Sequence, residues 1–271
     1  MNRFAQLFRL GNCIMGVVGL MLGAFVAVGT SIIDYPRQLS LASVIVFLFV
    51  AAGNSLNDYM DREVDKRAHP KRPIPAGLIS PDTVLAVAGG LFGVCLVISF
   101  FLGPISIVVV VSAIFVMLVY EARLKREGLS GNLSIAWLTA ALFLLGGSVV
   151  GKVEMTIIIA AMAFLATLGR EIVKDIEDME ADFDRRTLPM RMGKRKAGII
   201  GSTAFIAAVV LSPEPYIVSM FGLGYLVVVL LADGIFIYCS IVHFQNPRRG
   251  QKLAKIGMMV ALIAFPIGGI Q

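Results

Sequence analysis

The chain alternates long apolar blocks with short polar joints. A helix needs roughly 20 predominantly apolar residues to cross a bilayer. Nine blocks approach or exceed that length: 11–33, 39–57, 82–102, 104–120, 131–150, 155–173, 197–212, 216–242 and 252–270. The third and fourth are separated only by Gly103-Pro104, a tight-turn signal. The first block is too long for the apolar region of a cleavable signal peptide, so it is expected to stay as the first span. The pattern predicts an all-α membrane protein. A single transmembrane domain over residues 1–271 would carry about nine helices in a bundle.

Composition agrees with this class. The chain is 58% hydrophobic and 15% charged, where a soluble domain carries about 25% charge. Mean hydropathy is +0.85. All but two of the 24 Lys and Arg residues fall in the N-terminal tail or in the joints after the second, fourth, sixth and eighth blocks, counted with the adjoining block ends. The exceptions are Arg37 and Lys152. Positively charged joints stay in the cytoplasm. The N-terminus and those four joints are therefore expected inside, in a multi-pass cell-membrane protein whose C-terminus lies outside. The net charge of +6 follows from this asymmetry. It suits anionic lipid headgroups and gives no support to a nucleic-acid partner. No obligate protein partner is evident.

Two acid-rich clusters sit at the inner ends of apolar blocks. The first, in GNSLNDYMDREVD, is Asn54, Asp58, Asp61, Asp65. The second, in GREIVKDIEDMEAD, is Glu171, Asp175, Asp178, Asp182. Both run i, i+4, i+7, i+11, which places the side chains on one helical face. Asn57 and Asp61 add another i, i+4 pair. Stacked carboxylates repel unless a cation lies between them. Two opposed faces of hard oxygen ligands suit Mg²⁺ bound to a diphosphate, because Mg²⁺ takes one or two carboxylates and leaves the rest of its shell to phosphate and water. The plain alternative is two solvated helix ends with salt bridges to Arg62, Lys66 and Lys174. Two matched clusters in one membrane chain favour the site, since intramembrane charge is costly.

Three further segments share that side: RLGN (Arg9 to Asn12), KRPIPAG (Lys71 to Gly77, including Arg72) and YEARLK (Tyr120 to Lys125). GN at Gly131-Asn132 opens the fifth block. Each basic residue alone is explained by topology. Together they supply cations beside a metal-bound diphosphate. Cys13, Cys95 and Cys239 share no motif and are expected as buried small hydrophobes. His69 and His243 are too few for a histidine metal or haem site. No dinucleotide fingerprint, phosphate-binding loop or nucleophile elbow is present. Glycine pairs such as Gly89-Gly90 and Gly146-Gly147 are expected at close helix contacts.

These residues carry a family resemblance. Asn57-Asp58-x-x-Asp61-x-x-x-Asp65 followed by RPIPAG resembles the first signature of the UbiA superfamily of intramembrane prenyltransferases, and Asp175-x-x-Asp178-x-x-x-Asp182 resembles the second. Tyr120 to Lys125 is similar to a tyrosine–lysine motif of that family, with the lysine one residue later than in many members. The resemblance implies an all-helical ring around a lipid-accessible cavity capped by cytoplasmic loops. It implies that Asn57, Asp58, Asp61, Asp65, Asp175, Asp178 and Asp182 hold Mg²⁺ as cofactor, with Asp61, Asp65, Asp178 and Asp182 central to catalysis. Prenyl diphosphate and acceptor would be bound from Arg9, Asn12, Asn54, Arg62, Lys66, Arg72, Tyr120, Lys125, Arg170, Glu171 and Lys174. The second cluster together with TLPMRMG (Thr187 to Gly193) is similar to the archaeal ether-lipid branch. That likeness implies geranylgeranyl diphosphate as donor and a phosphorylated lipid, geranylgeranylglyceryl phosphate, as acceptor. The competing expectation is an aromatic acceptor such as 4-hydroxybenzoate. A secondary transporter is the remote alternative, disfavoured because transporter sites lie near the bilayer midplane. Asp233, in mid-block, has no role assigned by either reading.

Overall fold

The computed structural model describes residues 3–179 and 186–269, and all regular structure within them is helical. Nine of these helices are long and apolar enough to span a membrane. They are α1 (Leu10–Val28), α2 (Pro36–Met60), α3 (Pro81–Ser99), α4 (Pro104–Ala122), α5 (Leu129–Val149), α6 (Ile157–Asp178), α7 (Lys194–Leu211), α8 (Leu223–Val242) and α9 (Pro247–Gly269). Proline opens α2, α3, α4 and α9, where its missing N–H costs no hydrogen bond. Together with the family established below, these spans make the chain a multi-pass membrane protein.

Several boundaries differ from the apolar pattern. The block expected over 216–242 is broken at its start. A short helix, Glu214–Ile217, follows α7; Ser219 then turns with φ 58° and Gly222 caps α8. A left-handed serine and the prolines at 213 and 215 leave no continuous helical path there. At the other end, α2 and α6 run past their apolar stretches to Met60 and Asp178. Asn54, Asn57 and Asp58 therefore lie in the last turns of α2, and Glu171, Asp175 and Asp178 in the last turns of α6. Asp61 N–H bonds Asn57 O at 2.9 Å and Asp65 N–H bonds Asp61 O at 2.8 Å, carrying the helical path into a short helix, Arg62–Ala68.

Packing joins the helices into a closed arrangement. α1 lies against α2, α5 and α9; α3 lies between α2 and α4; α6 touches α5, α7 and α9; α8 touches α7 and α9. The contact of α9 with α1 brings the last span back to the first. Between α1, α5, α6, α7, α8 and α9 lies an apolar cavity of about 180 Å³, lined by residues such as Met15, Leu22, Phe143, Met162 and Phe265. Asp233 also borders it and is 6% exposed. Its carboxylate accepts from Ser212 Oγ at 2.5 Å, and the Tyr225 hydroxyl donates to Ser212 O at 2.7 Å. Asp233 thus ties α8 to the end of α7. The three cysteines are buried thiols, as expected.

The glycine pairs divide. A Cβ on Gly146 would lie 2.4 Å from Leu20 O, and one on Gly23 would lie 2.7 Å from Phe143 O. α1 and α5 therefore meet backbone to backbone, and Gly147 gives the same room to Thr156. Gly89 and Gly90 correct the expectation of close packing: both are exposed on α3, with nothing within 4 Å of a Cβ. Thermal unfolding in detergent micelles checks this division. Gly146→Ala is expected to lower the midpoint sharply or prevent folding. Gly90→Ala is expected to leave it unchanged or raise it slightly, since alanine gains about 0.5–1 kcal/mol over glycine inside a helix.

Candidate active site

The last two turns of α2 present their polar side chains to three neighbouring segments. Asp58 is 2% exposed and pairs with Arg9, with Arg72 at 3.6 Å. Arg72 also donates to Asp65 Oδ2 at 2.5 Å, and Asp65 is likewise buried. Asn54 Nδ2 donates to Phe8 O at 2.8 Å. These bonds fasten the N-terminal helix Arg3–Phe8 and the turn around Arg72 onto α2. The other flank of the same turns meets α4. Asn57 Nδ2 donates to Glu121 Oε1 at 3.0 Å, while Lys125 Nζ reaches Asp61 Oδ2 at 2.6 Å and Glu121 Oε2 at 3.2 Å. Lys125 is only 8% exposed in its side chain and Glu121 4%. A buried ammonium of this kind is tolerable because two carboxylates share it.

Lys125 also faces the second cluster. It lines a small polar pocket with Tyr120 of α4, Asn132 of α5, Glu171, Lys174 and Asp175 of α6, and Thr187. Asn132 Nδ2 donates to Asp175 Oδ2 at 2.9 Å. Glu171 is paired with Arg170 and lies 3.9 Å from Lys174. Asp178 closes α6, half-buried. Asp182 lies outside the described residues. The pocket is positioned by backbone contact: a Cβ on Gly131 would lie 2.8 Å from Leu124 O, so the turn after α4 rests directly on α5. A second, more open polar pocket lies beside Arg9, Asp58, His69, Lys71 and Arg72. Lys125–Asp61, Asn57–Glu121 and Asn132–Asp175 thus bring the ends of α2, α4, α5 and α6 to one face.

Not every predicted residue joins this network. Lys66 forms an exposed pair with Glu63 at 2.8 Å. That hydrogen bond and charge hold the Glu63 carboxyl below its usual range. Arg62 stacks on Tyr59, 4.5 Å from the ring centroid, and donates to Tyr59 O. Asn12 is exposed near the start of α1. Three residues were missed as site candidates. Glu121 was detectable as the partner of Lys125 at i, i+4. Asn132 stood in the noted Gly131-Asn132 step without a role. Thr187 gave no signal beyond its place in TLPMRMG.

The acidic donors of Asn57, Asp61, Asp65, Asp175 and Asp178 are all hard oxygens, which fits Mg²⁺ and disfavours soft metals. Among the described residues, no three His, Cys, Asp or Glu side chains converge closely enough to hold a metal ion by themselves.

Comparison with known proteins decides the family. Residues 16–263 match the UbiA prenyltransferase family. The chain belongs to that family. This UbiA protein is 37% identical over 275 residues to a digeranylgeranylglyceryl phosphate synthase of Methanothermobacter thermautotrophicus, covering 99% of this chain and 96% of the relative. It is 36% identical to the synthase of the same name from Pyrococcus horikoshii, covering 98% and 97%. Among solved structures, one from work on digeranylgeranylglyceryl phosphate synthase in membranes superposes with a TM-score of 0.90 at 31% identity, over 99% and 98% of the two chains. A UbiA homolog from Archaeoglobus fulgidus bound to GPP and Mg²⁺ shares the fold, with a TM-score of 0.72 at 13% identity over 97% and 98%. The chain is therefore a prenyltransferase of the UbiA fold, as its two acidic signatures implied.

The buried network of this UbiA site makes a stability prediction. Glu121→Leu strands the Asn57 amide and removes one of the two carboxylates around Lys125. It is expected to cost about 1–3 kcal/mol, measured as thermal unfolding in detergent. Glu63→Ala, which breaks the exposed pair with Lys66, is expected to shift the midpoint not at all.

Proposed function

We propose that this UbiA protein transfers a geranylgeranyl group from geranylgeranyl diphosphate to the free hydroxyl of geranylgeranylglyceryl phosphate, a step of archaeal ether-lipid synthesis. The observation that carries this reading is the pair of separate polar pockets on one face, each bordered by basic side chains. Arg9, Lys71 and Arg72 border one; Lys125 and Lys174 border the other. Two phosphorylated substrates require two such sites. An aromatic acceptor such as 4-hydroxybenzoate would offer the second pocket a carboxylate in place of a phosphate, so the competition between acceptors below decides between them. The names carried by full-length archaeal relatives at 34–37% identity support the same acceptor.

Asn57, Asp61, Asp65, Asp175, Asp178 and Asp182 would hold the Mg²⁺. When bound, the ion neutralises charge on the leaving diphosphate. Lys125, poised between Asp61 and the second pocket, contributes a further positive charge where the C–O bond breaks. Asp58, expected from the resemblance among the Mg²⁺ ligands, is taken up by Arg9 and Arg72 and acts by positioning the basic turn; Asp65 would reach the ion only by giving up Arg72. The apolar cavity keeps water from the allylic cation and receives part of the prenyl chain. The acceptor hydroxyl supplies the nucleophile, so no protein nucleophile is needed.

The N-terminus and the polar face would lie in the cytoplasm and the C-terminus outside, because basic residues gather on the side of the acidic clusters. Reporters fused after Lys125 or Lys194 are expected to read cytoplasmic, and one at Lys152 external. An external signal at Lys194 would separate the two clusters across the membrane and end this assignment.

The activity itself is tested by Mg²⁺-dependent diphosphate release from geranylgeranyl diphosphate, with geranylgeranylglyceryl phosphate and 4-hydroxybenzoate as competing acceptors. Release with the glyceryl phosphate alone is the expected result; release with the aromatic acid alone would reverse the acceptor. Asp61→Ala and Asp178→Ala are each expected to lower kcat by roughly 10²-fold or more, as for other groups acting on transition-state charge, while leaving the protein folded. Near-normal turnover in both would remove these carboxylates from the site.

A further inference from the structure

We infer that Thr187 binds a phosphoryl oxygen, its hydroxyl donating into the pocket shared by Lys125, Lys174 and Asn132. Thr187 is 3% exposed, yet its Oγ1 has no hydrogen-bond partner among the described residues. A hydroxyl so deeply buried is normally satisfied. The usual partner for a threonine just before a helix is a backbone N–H of the first turn. Thr187 precedes the short helix Leu188–Met192 and makes no such bond. What it borders is the polar pocket with two ammonium groups and the Asn132 amide.

The placement is enforced by backbone. Arg186 N–H donates to Arg126 O at 3.1 Å, joining the segment that follows the second acidic cluster to the turn between α4 and α5. Gly128 sits at the contact with φ +64°, and a Cβ there would lie 2.9 Å from Leu188 N and 3.2 Å from the Thr187 carbonyl carbon. Only glycine takes that conformation and that distance without strain. Thr187 is thus held beside Lys125 before any ligand arrives. The carboxylates bordering the pocket are already engaged, Glu171 by Arg170 and Asp175 by Asn132. The Thr187 hydroxyl is left as a donor beside the Lys174 ammonium and the one N–H of Lys125 not taken by Asp61 and Glu121, a set that complements a phosphate ester oxygen. That oxygen can come from the prenyl diphosphate or from the acceptor phosphate.

This inference rests on the prenyl-transfer reading but is tested separately from it. Thr187→Val removes the hydroxyl at nearly constant volume, and Thr187→Ser keeps it; Thr187→Ala replaces the valine variant should that fail to fold. Binding of inorganic diphosphate with Mg²⁺ is measured by calorimetry on the full-length protein in detergent, alongside steady-state kinetics with each substrate varied in turn. Loss of one hydrogen bond to a charged group is expected to weaken diphosphate binding, and to raise the KM for the prenyl diphosphate, about tenfold or more in the valine variant. The serine variant is expected to stay near wild type. A raised KM for the glyceryl phosphate alone, with diphosphate binding unchanged, would assign the oxygen to the acceptor and still support a phosphoryl-binding Thr187. Wild-type behaviour of the valine variant in all three measurements would overturn the inference. So would equal losses in the serine and valine variants, which would make the residue structural. Failure of wild-type protein to transfer to either acceptor would count against the prenyl-transfer reading, while the calorimetry would still report on Thr187.

Discussion

Carboxylates gathered at the mouth of an apolar bundle repel one another, and the polar face depends on the cations that hold them. Lys125 is the clearest case. Its ammonium lies between Asp61 on α2 and Glu121 on α4, and it looks onto Asp175 on α6. In the low dielectric of a bundle end, one misplaced charge costs several kcal/mol. The ends of these helices can share one face because Asp58, Asp61, Asp65, Glu121 and Asp175 each have a donor from another segment, while Glu171 is met by Arg170 of its own helix. Arg9 and Arg72 do for Asp58 and Asp65 what Lys125 does for Asp61 and Glu121.

The same network divides labour. Bonds at Asn54, Asp58 and Arg9 fix the N-terminal helix against α2. Bonds at Asn57, Asp61, Glu121 and Lys125 fix α4 against α2. The first group shapes the rim, and the second stands where substrate charge would arrive. Residues that look equivalent by spacing therefore differ in exposure: Asp58 and Asp65 are buried, whereas the side chain of Asp61 is 26% exposed.

The helices were legible because a bilayer requires long apolar runs, and the nine predicted blocks lie close to α1–α9. The acidic faces were legible because helical periodicity is written in i, i+4 and i+7. What periodicity does not carry is which partner each side chain finds. Lys66 and Lys174 each adjoin a carboxylate of their cluster, Asp65 and Asp175, yet Lys66 turns outward to Glu63 and Lys174 lines the pocket. Gly89-Gly90 and Gly146-Gly147 are alike as dipeptides; only the neighbouring helix distinguishes an open face from a backbone contact. Glu121, Asn132 and Thr187 were missed as site residues for the same reason. Their importance comes from contacts across the bundle, and the Thr187 loop reaches the site only because Gly128 lets two backbones touch.

The apolar cavity has a final implication. At about 180 Å³ it is close to cavities that enclose a benzene-sized molecule. A geranylgeranyl chain is several times longer than anything such a space can hold. The distal isoprene units must then pass between helices and dissolve in the surrounding acyl chains. The bilayer then becomes part of the wall of the binding site. A doubly prenylated product, already half immersed in lipid, needs no exit tunnel: it leaves sideways into the membrane it is made to build.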